Sequence, residues 1–134
     1  MTRVLATIVS MESGVRLVVL MIEVEQPEGI SARKLLLETA RHNVITAYGG
    51  KVGLALLRRF PNVDVVVVHT ELADSSFDET VNSLKALNPR LPVIGITPVT
   101  DRHQSGTDYM ISSHDPQTLL ALLSDHFDAA LSPE

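Results

Sequence analysis

Residues fit for chemistry gather at the carboxyl ends of apolar runs. His69 closes the run Val63-Asp64-Val65-Val66-Val67-Val68, and Thr70 and Glu71 follow it. Glu23, Val24 and Glu25 follow the run Leu17-Val18-Val19-Leu20-Met21-Ile22. Thr97 closes Val93-Ile94-Gly95-Ile96, and Ser112 follows Tyr109-Met110-Ile111. An imidazole among carboxylates has three uses: an ion pair, a phosphorylatable nitrogen, or a metal ligand. The ion pair is the commonest, so His69 is expected to pair with Glu23 or Glu25. It should then titrate above its ordinary value, because opposite charge favours the imidazolium. The metal reading joins Glu23, Glu25 and His69, with His103 and His114 as further nitrogen donors from loops at the same edge. Their spacing is diagnostic of no particular metal.

Two other groupings have a simpler explanation. Gly49-Gly50-Lys51-Val52-Gly53 follows an apolar run and opens a helix, as phosphate loops do, but the glycine spacing is not a dinucleotide fingerprint. A turn with close helix packing is expected instead. Ser113-His114-Asp115 has the residue types of a hydrolytic triad, yet three consecutive residues cannot chain nucleophile to base to acid.

The elements that hold these residues follow from the hydrophobic pattern. Four consecutive valines bury both faces of a strand, as in a parallel sheet covered by helices on either side. The runs at 17–22, 43–47, 93–97 and 109–111 are further strands. A helix is predicted from Pro27-Glu28-Gly29 to about His42, with Ile30, Leu37 and Ala40 inward. A second runs to Phe60, with Val52, Ala55 and Leu56 inward and Arg58 and Arg59 solvated. A third starts at the capping box Ser76 to Glu79 and buries Phe77, Val81 and Leu84. The last is capped by Asp115, with Pro116 in its first position and Leu119, Leu120, Leu123 and Phe127 on its apolar face. Strands alternating with helices imply right-handed crossovers and an α/β domain. Between Thr97 and Tyr109 the chain is too short for a full returning helix.

Composition narrows the class. The chain has 134 residues, 45% hydrophobic and 20% charged, which suits one globular domain. With no Cys, disulfides and thiolate metal sites are excluded. A formal net charge of -5 argues against a direct grip on nucleic acid. No apolar run approaches a membrane span, and Met1 to Ser10 lacks a signal-peptide pattern, so a cytoplasmic setting is expected.

The order and spacing of these features resemble the response-regulator receiver domain of two-component signalling, from about Arg16 to Phe127. The matches are Pro27 after the acidic end of the first strand, Asp64 opening the valine strand, and Val93-Ile94-Gly95-Ile96-Thr97. Gly106-Thr107-Asp108-Tyr109 and Asp115-Pro116 match as well. The resemblance implies a flavodoxin-like, doubly wound sheet of five parallel strands, order 2-1-3-4-5, here with a shortened or missing fourth helix. Residues 1–15 are then an extension and 128–134 a tail. In that family an Asp after the third strand accepts a phosphoryl group. An acidic pair after the first strand holds magnesium, and a Thr or Ser and a Lys bind the phosphoryl oxygens. Carried over, His69 stands at the acceptor position, Glu23, Val24 and Glu25 at the acidic pair, Thr97 at the switch position and Ser112 at the Lys position. The nucleophile and the cation are then both replaced, and Val24 interrupts the metal pair.

A phosphorylation-independent receiver that is no enzyme, needs no cofactor and acts through protein contacts is therefore expected. Its partners would be a histidine kinase, an output domain or a second copy. Two alternatives stand beside it. One is a phosphorylatable receiver with a noncanonical acceptor, for which Glu71 is the candidate. The other is a flavin- or nucleotide-binding protein, although Glu23-Val24-Glu25-Gln26-Pro27-Glu28 would repel phosphate where such a protein needs an anion loop. The short link after Thr97 should leave part of the last two strands under-covered. A symmetric homodimer is the favoured shield, with a protein partner or the apolar segment Val4 to Val9 as the others.

Overall fold

The computed structural model describes residues 15–24, 32–98, 106–113 and 115–127. The expectations for Val4 to Val9, Glu25, the helix start at Pro27 to Ile30, the link at 99–105 with His103, His114 and the tail fall outside these residues. Within them the chain runs β1 (Val18–Ile22), α1 (Ala32–Thr39), β2 (Asn43–Ala47), α2 (Gly50–Arg59) and β3 (Val65–His69). It continues through α3 (Phe77–Leu87), β4 (Val93–Thr97), β5 (Tyr109–Ser112) and α4 (Pro116–Phe127).

The five strands form one parallel sheet in the order β2-β1-β3-β4-β5. This is the predicted 2-1-3-4-5 order, with four helices among the described residues. Alternate residues feed two cores. Val19, Met21, Val65, Val67, Ile94 and Ile96 face α1 and α4, where Leu37, Ala40, Leu119, Leu120 and Leu123 cover them. Leu20, Ile22, Val66, Val68 and Val93 face α2 and α3, under Leu57, Phe77, Val81 and Leu84. Burial on both faces explains why the central strands read as unbroken apolar runs rather than alternating ones.

The caps stand as predicted. Ser76 Oγ accepts from the Glu79 N–H at 3.0 Å, and Asp115 Oδ1 accepts from the Gln117 N–H at 3.2 Å. Three details differ from the sequence reading. Helix α1 stops at Thr39, short of His42, because Arg41 takes a left-handed turn at φ 71° and His42 folds into the core. Helix α2 is rotated from the predicted face: Gly50, Gly53 and Leu57 are inward, Ala55 is exposed, Leu56 is half-buried, and Val52 is 51% exposed. The cause is Gly53, which lies so close to β1 that a Cβ there would sit 2.4 Å from Ile22 Cδ1. Backbone proximity, not apolar bulk, sets the phase of this helix.

The third difference concerns β4, which is buried along its whole length rather than open on one side. Gly95 leaves room for Met110 to fold across it from β5. A Cβ at position 95 would lie 2.7 Å from the Met110 sulfur and 3.0 Å from Phe77 Cζ. An unbranched thioether suits such a gap. Strand β5 itself is half-buried at all four residues.

Candidate functional site

The sequence places chemistry where parallel strands end, and the fold brings those ends together. Glu23 follows β1 and donates its N–H to the Ala47 carbonyl at 2.8 Å, continuing the β1–β2 ladder. His69 ends β3 opposite Ile96, and Thr97 ends β4 opposite Ser112. The Ser113 N–H donates to the Thr97 carbonyl at 2.8 Å and closes the β4–β5 edge. Glu23 and Thr97 are both buried at 3% exposure.

Glu23 is paired, though not with His69. Arg33, from the first turn of α1, lays its guanidinium against the carboxylate. Nη2 reaches Oε1 at 2.7 Å and Nε reaches Oε2 at 2.9 Å. The two side chains are 8% and 3% exposed. Arg33 Nη1 also donates to the Ser113 carbonyl at 3.2 Å, so one side chain ties α1 to the ends of β1 and β5. A buried carboxylate needs such compensation, and a two-point guanidinium contact supplies charge and hydrogen bonds together. None of the residues that carry the receiver resemblance supplies a cation at this site. The signal was present: Arg33 lies in helical phase with Leu37 and Ala40, on the face predicted to be inward. An Arg on an apolar helix face needs a buried acid to meet it.

His69 is half-buried and uses its Nδ1 to accept the Glu71 N–H at 3.1 Å. This overturns the expected ion pair with Glu23; the alternative partner, Glu25, lies outside the described residues. Burial holds the imidazole below its ordinary pKa; the Glu23 charge pulls upward, the Arg33 charge opposes it, and Glu71 adds a smaller upward pull. With Glu23 already neutralised by Arg33, desolvation decides the sign. Glu71 itself is exposed.

The glycine turn before α2 also has its occupant. Gly49 takes φ 135°, and the Asp74 carboxylate sits on the start of the helix. The Gly50 and Lys51 N–H groups donate to its two oxygens at 2.9 and 3.1 Å. These bonds, Gly50's first, hold the Asp74 carboxyl below the usual carboxylate range. The place where a phosphate would bind a helix start therefore carries the chain's own acid. A cavity of about 130 Å³ lies between these groups, lined by Glu23, Val24, Tyr48, Gly49, Leu72, Ala73 and Asp74. Acidic groups flank it on two sides.

The side chains that are described do not fit a magnesium ion. Both oxygens of Glu23 already bond to Arg33, and Val24 offers no ligand atom. Among the described residues no three His, Asp or Glu side chains gather as a metal site would require.

No family model matches the chain, and no curated protein sequence does. Solved structures do match in fold. A response regulator receiver domain protein from Clostridium thermocellum superposes with a TM-score of 0.70 at 20% identity, covering 81% of this chain and 92% of that one. The chemotaxis response regulator CheY4 of Vibrio cholerae gives 0.69 at 21% identity, covering 83% and 98%. A chain of the CheX-CheY-BeF3-Mg complex from Borrelia burgdorferi gives 0.71 at 16% identity, covering 83% and 89%. The chain therefore has the flavodoxin-like fold of receiver domains.

Proposed function

We propose that this chain is a receiver-like signalling module that acts through protein contacts without phosphorylation at the strand-end site, and that it is not an enzyme. The carrying observation is the side chain at the end of β3. An imidazole closes β3, and under the receiver resemblance it stands in for the acceptor carboxylate. Its Nδ1 is engaged by the Glu71 N–H, and burial disfavours its charge. Phosphoryl transfer to a carboxylate needs a nucleophile and preorganised positive charge at the same point. The side chain that closes β3 is not a carboxylate, Ser112 takes the Lys position in this reading, and the nearby guanidinium is committed to Glu23.

Protein contact is the remaining output of such a module. A neighbour of the same fold belongs to a complex with CheX, which makes a protein partner compatible with the architecture. A histidine kinase, an output domain or a second copy of this chain would serve. The half-buried edge strand β5 supports pairing with a second copy. The setting is cytoplasmic in this reading; among the described residues no helix is long and apolar enough to cross a membrane.

The test is intact-mass spectrometry after acetyl phosphate treatment with magnesium. No phosphate should be gained. A stable gain that disappears in Glu71→Gln would replace this reading with a receiver that uses a noncanonical acceptor. Light scattering tests the pairing, and a monomer at high concentration would remove it.

A further inference from the structure

We propose that the Arg33 guanidinium is the resident cation of this site: it takes the carboxylate bonds that a divalent ion would make and renders the site independent of metal. The inference rests on the receiver-like reading, since that is what gives a metal a place to be excluded from.

Glu23 is the one described acid at the end of β1, and its two oxygens accept from Arg33 Nη2 and Nε at 2.7 and 2.9 Å. A divalent ion that chelated both oxygens of that carboxylate would compete with two charge-assisted bonds in a pair that is 8% and 3% exposed. It would also meet the guanidinium charge at contact distance, in surroundings that screen poorly. The pair is neutral as it stands. Of the other described acids nearby, Asp74 has both oxygens on N–H groups of α2, and Glu71 is exposed. His69 points Nδ1 at the Glu71 N–H, so that nitrogen is spent as well.

The same guanidinium does a second job through Nη1. Its bond to the Ser113 carbonyl at 3.2 Å lies just past Ser112, at the edge where a receiver would extend its Lys. One tethered cation therefore covers both positive positions, that of the metal and that of the Lys. It enters from a helix rather than from a strand end. Because the tether is covalent, the charge is always present. The strand ends are held in one arrangement, and α1 is the element that a partner would have to move to release them.

The experiment is a manganese titration of the full chain, read by paramagnetic broadening of amide signals. Wild-type protein should show no saturable broadening at Glu23, His69 or Ser113. Arg33→Ala should gain it, with apparent affinity raised about tenfold or more, equivalent to roughly 1.4 kcal/mol. Adding Glu23→Gln to that variant should abolish the gain. Arg33→Met keeps the aliphatic stem without the charge and carries the same expectation if the alanine variant does not fold. Saturable broadening at these amides in wild-type protein overturns the proposal, whichever variants fold. So does a folded charge-deleted variant that gains no manganese. Phosphate uptake by wild-type protein without metal would instead sink the functional reading and leave the role of Arg33 intact.

Discussion

At the carboxyl end of the sheet Glu23 and Arg33 bond to each other; at the amino end the polar side chains bond to the starts of strands. His42 Nδ1 accepts the Leu17 N–H at 3.0 Å, and Asp64 Oδ2 accepts the Val18 N–H at 2.7 Å. Asp108 Oδ2 accepts the Val93 N–H at 2.8 Å while Lys85 Nζ bridges it to the Leu91 carbonyl. These amides sit at or just before the first residue of a strand, where the sheet ladder has not yet taken up its N–H groups. The residue types are those that suggest catalysis, yet at the amino end they complete the backbone. At the carboxyl end Glu23 and Arg33 cancel each other's charge in a buried pair, while His69 and Asp74 bond backbone N–H groups there too. A titratable group at a strand end is informative only together with what it bonds.

The comparison predicts unequal costs at the two ends. The largest belongs to Arg33→Ala, which strands a buried Glu23 carboxylate and should cost about 3–5 kcal/mol in urea denaturation. Replacing both partners with apolar residues, Arg33→Met with Glu23→Leu, should cost less than either single change. If the double variant is the worst of the three, the ion pair is not the source of the cost.

The amino end comes next. His42→Ala leaves the N–H of Leu17, a residue 5% exposed, without its acceptor and should cost about 1–3 kcal/mol. Asp64→Ala and Asp108→Ala act on more exposed bonds and should cost about 1 kcal/mol each. Should these two match Arg33→Ala, burial is not what separates the ends.

The smallest effect is in pH, and it separates His69 from Asp108 by window. His69 has a folded pKa below its ordinary value of about 6.5, so the unfolded chain binds the proton first. Its contribution is complete above about pH 6.5 and declines as pH falls from there to the folded value. Asp108 changes in the same direction but in a lower pH window. Burial pushes its carboxyl up, but the Lys85 and Val93 bonds outweigh this and hold it below the usual carboxylate value. Its contribution is present above about pH 4 and is lost as pH falls through the folded pKa. Two-dimensional NMR should show His69 titrating below a free imidazole. His69→Gln should flatten the stability profile just below neutrality and leave the acid limb unchanged; a flattened acid limb would refute the assignment.

Much of the architecture was legible in the chain. The valine run, the flanking apolar strands, the Ser76 and Asp115 caps and the order of elements are set by residues near one another in sequence, where sterics and hydrogen bonding act directly. So was the buried face of α3, because its apolar positions repeat at helical spacing. The face of α2 was not, since Gly53 carries no apolar signal and is inward only because Ile22 lies beneath it. The end of α1 was misplaced because the His42 ring leaves the helix for an amide 25 residues away. The site shows the same division. That Glu23, Val24, His69, Thr97 and Ser112 lie at or just after strand ends was legible. The partner of Glu23 and the sign of the His69 shift were not, because each depends on which of several charges lies within bonding distance. Arg33 is ten residues from Glu23 in sequence and eighty from Ser113, and only the packing of α1 against the sheet brings all three together.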